Sequence, residues 1–336
     1  MAHSTRRLMM GAAGASGGET YVDDVFSTYL YNGNSGANQI VNGIDNTEGG
    51  LVWFKNRIRD IDHALVDTES GSGKYLRSNS SSVYTYADNI NTFNNNGFTL
   101  QGGHDTVNSN WQGEYSSWNF RKAPGFFDIV TYTGNDTNRT IAHSLGSIPG
   151  MILIKGVDAA HHWQVYHRGV GNTKVLKLND TDNASTSGTA WNNTSPTDTH
   201  FSLGTEGGLN TNGGEFIAYL FAHNNGDGEF GETGDKDIIK CGSYVGSGSA
   251  GLEVNVGFEP QWVLVKNASA SQYWMLSDSM RGIVTGANDA LLYPNANDTE
   301  DSTDRFTLTP TGFKVTADAD VNGNGNTMVY VAIRRP

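Results

Sequence analysis

The acidic residues of segment 224–237 have the composition best suited to holding a metal ion. Asp227, Glu229, Asp235 and Asp237 are interspersed with glycines, and a Ca²⁺ ion takes several oxygen ligands of this kind. A solvated linker has the same acidic, glycine-rich composition, so the sequence supports both interpretations. The single cysteine, Cys241, excludes an internal disulfide and any multi-cysteine metal site.

Other motif-like segments lack the context that their chemistry requires. Residues 246–251 fit the dinucleotide pattern G-x-G-x-x-G, but an alternating, strand-like segment follows where a helix should meet the pyrophosphate. Residues 71–74 lack the first glycine of a phosphate loop, and 318–329 lack the final Glu of an EF-hand loop. His161, His162 and His167 lack zinc-ligand spacing, and no G-x-S-x-G elbow is present. We therefore predict no enzymatic activity and no cofactor, with Ca²⁺ as the one alternative.

Composition indicates an acidic, sheet-rich protein. Of 336 residues, 22 are basic and 35 acidic, which gives a net charge of −13 and argues against a nucleic-acid partner. No apolar run approaches the ~18 residues of a membrane-spanning helix, so no membrane insertion is expected. Gly, Asn, Ser and Thr fill many polar positions, and these residues form helices poorly. We therefore expect very little helix.

A set of landmarks recurs three times along the chain in the same order. A Tyr-x-Gly triplet comes first, at Tyr31, Tyr132 and Tyr244. An apolar run then ends in a lysine, at Lys55, Lys155 and Lys266. A ring follows eight residues later, at His63, Trp163 and Trp274, and a polar residue four further on, at Asp67, His167 and Asp278. Such self-similarity is the signature of a repeat architecture.

The landmarks divide the chain into five segments. These are an N-terminal arm (1–24), repeat one (25–122), repeat two (126–223), an acidic glycine-rich linker (224–237) and repeat three (238–336). Each repeat has about 100 residues, a usual size for a β-sandwich. Their short apolar runs, bounded by Gly, Asn, Asp and Ser, are typical of strands. We therefore predict an all-β protein of three tandem, jelly-roll-like β-sandwich repeats, each a compact module.

The N-terminal arm has features of an anchor. It contains a basic and apolar cluster made of Arg6, Arg7, Leu8, Met9 and Met10. A signal peptide would need a longer apolar region. Free termini are usually disordered unless they are tied down, so such an arm is either an anchor that lies on a partner or a flexible tag. We expect residues 1–24 to attach the protein to another protein.

Three further segments resemble a known group of proteins. Residues 6–14, 50–57 and 118–128 look like the corresponding parts of repeat-bearing, tail-fibre-like structural proteins of marine tailed phages, with cyanobacterial phages as the nearest comparison. The resemblance extends over nearly the whole chain and brings no catalytic residues with it. It implies a structural protein of the phage particle, a tail fibre or a tail or capsid appendage. Its partners would be other virion proteins, held through the arm, and a glycan or protein of the host surface.

Binding surfaces that vary are usually loops held by a rigid scaffold. Residues 78–89, 180–193 and 288–301 are the loops that we expect to meet the host surface. Their aromatic residues Tyr84, Tyr86 and Trp191 could stack on sugars, and packing against their own repeat is the alternative.

Two alternative functions and two assembly states remain open at this point. A polysaccharide-degrading depolymerase would need two carboxylates ~5–9.5 Å apart, and the sequence does not indicate which pair. A head-surface decoration protein is the other alternative. Proteins that resemble fibres are often homotrimers, whereas three repeats would also let one chain act as a pseudo-trimer at a threefold site.

Overall fold

A computed structural model of the chain describes residues 19–86, 90–283 and 288–336. The protein is all-β, as predicted. Its described helices, α1 (Val22–Val25), α2 (Gly207–Asn210) and α3 (Ala319–Asn322), have four residues each, and a 3-10 turn covers Asn46–Glu48. The prediction of very little helix is therefore confirmed.

Strands fill all three predicted repeats, here called units one, two and three. Unit one contains β1 (Phe26–Asn32), β2 (Asn38–Val41), β3 (Gly50–Asn56), β4 (Ala64–Asp67), β5 (Lys74–Tyr75), β6 (Thr85–Tyr86), β7 (Ile90–Asn94), β8 (Gly97–Leu100) and β9 (Glu114–Arg121). Unit two contains β10 (Phe127–Thr133), β11 (Arg139–Ala142), β12 (Pro149–Gly156), β13 (Gln164–His167), β14 (Lys174–Lys177), β15 (Ser185–Thr186), β16 (His200–Leu203) and β17 (Glu215–Ala222). Unit three contains β18 (Ile239–Val245), β19 (Leu252–Asn255), β20 (Pro260–Asn267), β21 (Trp274–Asp278), β22 (Ala290–Leu291), β23 (Asp301–Ser302), β24 (Phe306–Thr309), β25 (Gly312–Val315) and β26 (Thr327–Arg334).

The same strand order occurs in the main sheet of each unit. The antiparallel orders are β1-β9-β3-β4, β10-β17-β12-β13 and β18-β26-β20-β21, and β14 and β15 extend the second sheet. Smaller sheets, β2-β8-β7, β11-β16 and β19-β25-β24, accompany them. In each main sheet the first long strand of the unit pairs with the last one, so the two ends of the unit lie side by side. The jelly-roll strand order stays a prediction.

The Tyr-x-Gly triplet is a structural lock around a buried asparagine. In unit two, the Tyr132 hydroxyl donates to Leu209 O (2.8 Å), next to Asn210. Asn210 accepts from the backbone N–H of Asn135 (3.0 Å) and donates to the Thr137 and Gly204 carbonyls at 2.7 and 2.8 Å. The buried residues Asn108 and Asn322 make the equivalent bonds in the other units. These amides satisfy loop groups that would otherwise be buried unpaired.

The glycine of the triplet is required because another backbone segment lies very close to its Cα. Replacing it should therefore lower the stability of the protein. A Cβ on Gly134 would lie 2.1 Å from Thr211 O, so Gly134→Ala must displace backbone. We expect a loss of roughly 1–3 kcal/mol, the usual cost of forced overpacking, measured by denaturant unfolding. Gly73→Ala is the matched control, because its Cβ would meet nothing within 4 Å. Equal stability of the two variants would contradict this explanation.

The ring landmarks connect neighbouring units in a closed cycle. The Trp163 Nε1–H of unit two donates to Arg77 O of unit one (2.8 Å), and Trp274 Nε1–H of unit three donates to Lys177 O of unit two (2.9 Å). His63 Nε2 of unit one lies 3.1 Å from Tyr293 O of unit three. The three acceptors occupy equivalent positions in the repeat, so each unit contacts its predecessor in the same way. We call each such contact between units a seam.

The polar landmarks form a second set of contacts, one across each seam. Trp118 Nε1–H of unit one donates to Asp278 Oδ2 of unit three (2.9 Å), and the Tyr219 hydroxyl of unit two donates to Asp67 Oδ2 of unit one (2.9 Å). At the remaining seam, His167 Nε2 of unit two lies 3.1 Å from the Tyr330 carbonyl oxygen. Two sets of contacts therefore join each unit to both of the others.

The lysine landmarks are buried and hold backbone carbonyls. Lys55, Lys155 and Lys266 have no exposed surface. The Lys55 and Lys266 ammonium groups each donate across a seam, to Asn297 O and Thr181 O at 3.1 Å. Burial lowers the pKa of all three lysines to about 8. These side chains join the ends of β3, β12 and β20 to nearby loops.

One large core extends through all three units. Phe120 of unit one packs its ring against Phe221 of unit two (centroids 5.5 Å apart) and against Trp262 of unit three (5.8 Å). These residues belong to a single buried cluster, while two smaller clusters lie within units one and three. The expectation of separate compact modules is therefore corrected: the units share a core where their main sheets meet.

Two predicted segment boundaries also change. Val22, placed in the arm from sequence, is buried in the common core, as is Val25, the first residue of predicted repeat one; both belong to α1. The linker 224–237 is mostly exposed, but Phe230 is buried in the core and Asn224 accepts from the Ile238 N–H at 2.9 Å. The body of the protein thus begins before residue 25, and the linker is fixed at two points.

Candidate functional site

The cavity at the seam between units one and two is the candidate functional site. Its volume is about 330 Å³, within the range of small-ligand pockets. The cavity is lined by Glu69, Ser70, Lys74 and Tyr84 of unit one and by residues 131–133, 157 and 215–217 of unit two. Both units are needed to form it, so the seam positions the site.

Tyr84 forms one side of this cavity. Its hydroxyl is hydrogen-bonded to Ser70 Oγ, and the Lys74 ammonium lies 4.2 Å from the ring centroid. The ring is half-buried and packs against the common core. Burial raises the pKa of Tyr84, and the charge of Asp67 adds to the effect. The hydroxyl therefore stays protonated and can both donate and accept hydrogen bonds.

An adjoining cavity of about 290 Å³ shares Glu69 with the first and is lined by Lys122, Asp128 and His143. Lys122 Nζ lies 3.1 Å from Glu69 and 3.4 Å from Asp128. Burial lowers the pKa of Lys122, but these two ion pairs outweigh it and the net shift is upward. Burial also lowers the pKa of His143. Together the two cavities form a polar cleft with an aromatic wall.

The groups that line the cleft have the hydrogen-bonding capacity to suit a polyhydroxylated molecule. Lys74 supplies donors, Glu69 and Glu215 supply acceptors, and Ser70 supplies a hydroxyl that can do both. Ligand sites of this size combine apolar walls with a small number of placed polar groups.

At the two other seams, direct contacts between units involve the position that Tyr84 occupies here. Counting from Asn79, Asn179 and Asn295, the positions equivalent to Tyr84 are Ala184 and Glu300. The Ala184 N–H donates to Ala268 O across its seam (2.9 Å). Glu300 binds Arg57 at 2.6 Å and Arg281 at 3.2 Å. The candidate site therefore differs from the equivalent positions of the other units. Because those units fold without a tyrosine at this position, Tyr84 is not required by the fold that the units share.

The structure separates the three aromatic residues predicted to face a receptor. Tyr84 lines the cavity, and Tyr86 lies on β6 with 78% of its surface exposed. Trp191 is 1% exposed, donates its Nε1–H to Lys174 O (2.9 Å) and packs on Tyr166. The prediction that Trp191 faces a receptor is wrong, because the indole fills the core of unit two.

The predicted host-facing loops contribute to the seams. Ser78 is buried and donates to Pro294 O of unit three (2.7 Å). The Thr181 carbonyl accepts from Lys266 and Gln272 of unit three. Sequence reasoning placed these loops at the surface because it treated the units as separate. It also missed Lys74 and Glu215, which line one cavity because the seam brings units one and two together.

Carboxylates of the acidic segment accept hydrogen bonds from backbone N–H groups of the same segment. Asp237 accepts from the N–H groups of Gly226 (2.8 Å) and Gly228 (3.0 Å), and Asp227 accepts from Asn225 N–H. Asp235 binds Lys236 at 2.7 Å. Within residues 19–86, 90–283 and 288–336, no group of three or more His, Cys, Asp or Glu side chains is arranged to hold a metal ion. The Ca²⁺ interpretation of Asp227, Glu229, Asp235 and Asp237 stays a prediction.

The predicted anchor residues Arg6, Arg7, Leu8, Met9 and Met10 lie outside the described residues. None of the helices in the described ranges is long and apolar enough to cross a membrane. Cys241 is buried, as expected of a small apolar residue, and its thiol donates to Ala222 O at 3.3 Å.

The fold and the seam cavity define an all-β protein in which three strand-rich units of one chain share a common core. Residues 22–335 match a family described as a domain of unknown function, DUF7483. The chain therefore belongs to the DUF7483 family, and the match begins where α1 begins. Comparisons with curated proteins and with solved structures gave no match.

Proposed function

We propose that this protein is a structural protein of a phage particle, a tail or capsid appendage that contributes to attachment to the host surface. The observation that carries the proposal is the cycle of equivalent hydrogen bonds through the three seams. A body with three similar faces can occupy a threefold-symmetric site as a single chain, because its symmetry mimics that of a closed trimer. Sequence resemblance to phage appendage proteins supports the same role.

The buried contacts between the units suit a protein that must stay folded outside a cell. Its seams are formed by buried aromatic and hydrogen-bonding side chains, which resist local opening. Burial raises the pKa of the Cys241 thiol, and such a thiol is poorly reactive. Stability of this protein therefore does not depend on a reducing environment.

Attachment would use the cleft between units one and two and the exposed ring of Tyr86. Each contact of this kind is weak, but many copies on one particle act together and raise the overall avidity by ~10²–10⁴. A glycan of the host surface is the partner that the donors, acceptors and aromatic faces of the cleft suit best.

Analysis of purified particles tests the proposal. We expect the protein to co-purify with gradient-banded particles at a fixed copy number, and labelled particles to show whether it lies on the tail or the head. Light scattering of the isolated protein should give the mass of one chain, 36.2 kDa, rather than that of a homotrimer. Absence from washed particles would refute the virion role.

The arm is tested by deleting residues 2–18. We expect the truncated protein to be lost from particles while its unfolding midpoint stays unchanged, because the deletion leaves the described body intact. Incorporation at normal occupancy would show that the arm is not the anchor.

A depolymerase is the second candidate, because Glu69 and Glu215 line the same cavity and glycosidases use paired carboxylates. Incubation with host envelope glycans distinguishes the two functions. New reducing ends that disappear in Glu215→Gln would favour the enzyme, and their absence would favour attachment alone.

A further inference from the structure

The turn that leads into β9 departs from its equivalents in the other units. Tyr115 follows Asn108 by seven positions, whereas Phe216 follows Asn210 by six and Met328 follows Asn322 by six. Unit one therefore has one additional residue in this turn, and the turn carries Trp111. The lock around the asparagine is intact in all three units, so the added residue is not needed for the fold.

The backbone of this turn is also less favourable than in the other units. Gln112 has a φ of 48°, in the left-handed region, where units two and three have Gly213 (75°) and Gly325 (73°). Left-handed backbone disfavours residues with a Cβ, and strain of this kind is concentrated at functional sites. Unit one thus keeps a strained residue beside its extra tryptophan.

Trp111 differs from every other tryptophan of the protein. All seven tryptophans lie in the described part of the chain, and the side chain of Trp111 is 63% exposed. The remaining six, Trp53, Trp118, Trp163, Trp191, Trp262 and Trp274, are exposed by 1% or less. An indole contributes most to stability when it is buried, so its exposure here has no structural benefit.

An arginine and a carboxylate fix the position of the exposed ring. The Arg59 guanidinium lies 4.2 Å from the Trp111 ring centroid, and its Nη1 and Nη2 lie 3.1 and 3.2 Å from the two Asp105 oxygens. The hydrogen bond to Arg59 lowers the pKa of Asp105, which keeps it an acceptor. The guanidinium thereby covers one face of the indole, and the carboxylate bound to that guanidinium has 51% exposure.

We infer that Trp111, Arg59 and Asp105 form a binding platform for a neutral pyranose sugar. A pyranose ring has an apolar C–H face that can stack on the open indole face, and hydroxyls that suit the half-exposed Asp105 carboxylate. An anionic ligand fits poorly, because Asp105 neutralises Arg59 and the chain carries a net charge of −13. The choice of a glycan partner rests on the proposed attachment function, and the platform lies on a different part of unit one from the seam cavity.

Tryptophan fluorescence makes the platform directly observable, because Trp111 alone is exposed to a soluble quencher. We expect at least one neutral hexasaccharide among cellohexaose, laminarihexaose, maltohexaose and mannohexaose to protect Trp111 from acrylamide. Calorimetry with the same sugar should show binding that Trp111→Ala abolishes and Arg59→Met weakens at least tenfold. Val245→Ala is the matched control, because it also removes an exposed apolar side chain (63%) and should leave binding unchanged.

The inference is overturned if no neutral hexasaccharide gives protection, if only an anionic oligogalacturonate does, or if Trp111→Ala binds as tightly as the unmodified protein. Unfolding midpoints of all variants verify that the fold is retained. Sugar binding by a protein that is absent from particles would remove the proposed virion function and leave the platform. Particle association without sugar binding would remove the platform and leave the proposed virion function.

Discussion

Arg281→Met is expected to lower the free energy of unfolding by roughly 3–5 kcal/mol, the usual cost of removing one partner from a buried ion pair. Arg281 and Asp278 have no exposed side-chain surface and are 2.6 Å apart. Arg281 also lies 3.2 Å from Glu300, and its guanidinium lies 5.4 Å from the Trp118 ring centroid. Removing it leaves the Asp278 carboxyl group buried at the seam between units three and one without its ion-pair partner.

Denaturant unfolding with two comparison variants makes this prediction specific. Arg335 forms an ion pair of similar length with Glu259 (2.7 Å), but both side chains are largely exposed, 58% and 38%. Exposed pairs usually contribute less than about 1 kcal/mol, so Arg335→Met should change stability little. Asp278→Asn combined with Arg281→Met should cost less than the sum of the single changes, because the buried charge is then gone. Additive losses would show that Arg281 acts only through its own packing.

The sequence predicted the fold class because the relevant signals are local. Val, Ile and aromatic runs bounded by glycine and asparagine are typical of strands whatever lies beside them. The recurrence of Tyr132, Lys155 and Trp163 with equal spacing also required only the sequence. Each of these landmarks proved to have a structural role, in a lock, a carbonyl cluster or a seam.

The shared core could not be predicted in the same way. A run such as Trp262–Val265 is apolar whether a second sheet of its own unit or a neighbouring unit covers it. Trp191 illustrates the resulting error. Its polar loop suggested an exposed side chain, whereas in the structure the indole packs against Tyr166. The seam cavity could not be predicted for the same reason. Lys74 and Glu215, which both line it, lie 141 positions apart in the sequence. Trp111, by contrast, could have been found by comparing turn lengths between the repeats.

Acidification is expected to destabilise both seams of unit three. The His63 ring accepts from Trp53 Nε1–H at Nδ1 (2.9 Å) and therefore donates from Nε2 to Tyr293 O. His167 accepts from Gly169 N–H at Nδ1 (3.1 Å) and donates to the seam carbonyl of unit three from Nε2. Each arrangement needs a neutral imidazole, because a proton on Nδ1 would face another donor.

The pKa values give the sign and the pH window. Burial lowers the pKa of His167 to about 4 and that of His63 well below its usual value, whereas an unfolded histidine titrates near ~6.5. Below that pH the unfolded chain binds more protons than the folded one, so stability falls as pH falls. His167 alone accounts for a loss of roughly 3 kcal/mol by pH 4. Burial raises the pKa of Asp67, which opposes this loss in part.

Unfolding by denaturant at several pH values between 7 and 4 measures the effect. His167→Gln has no titrating group, so we expect it to be less stable at pH 7 and to lose less stability on acidification than the unmodified protein. Adding His63→Gln should flatten the dependence further, while His200→Gln, on an exposed residue, should leave it unchanged. If the double variant kept the full pH dependence, carboxylates rather than the seam histidines would control the acid response. If the predicted dependence is found, the two cycles of seam contacts are both weakened by acid at unit three, because His63 and His167 each hydrogen-bond a backbone carbonyl of that unit.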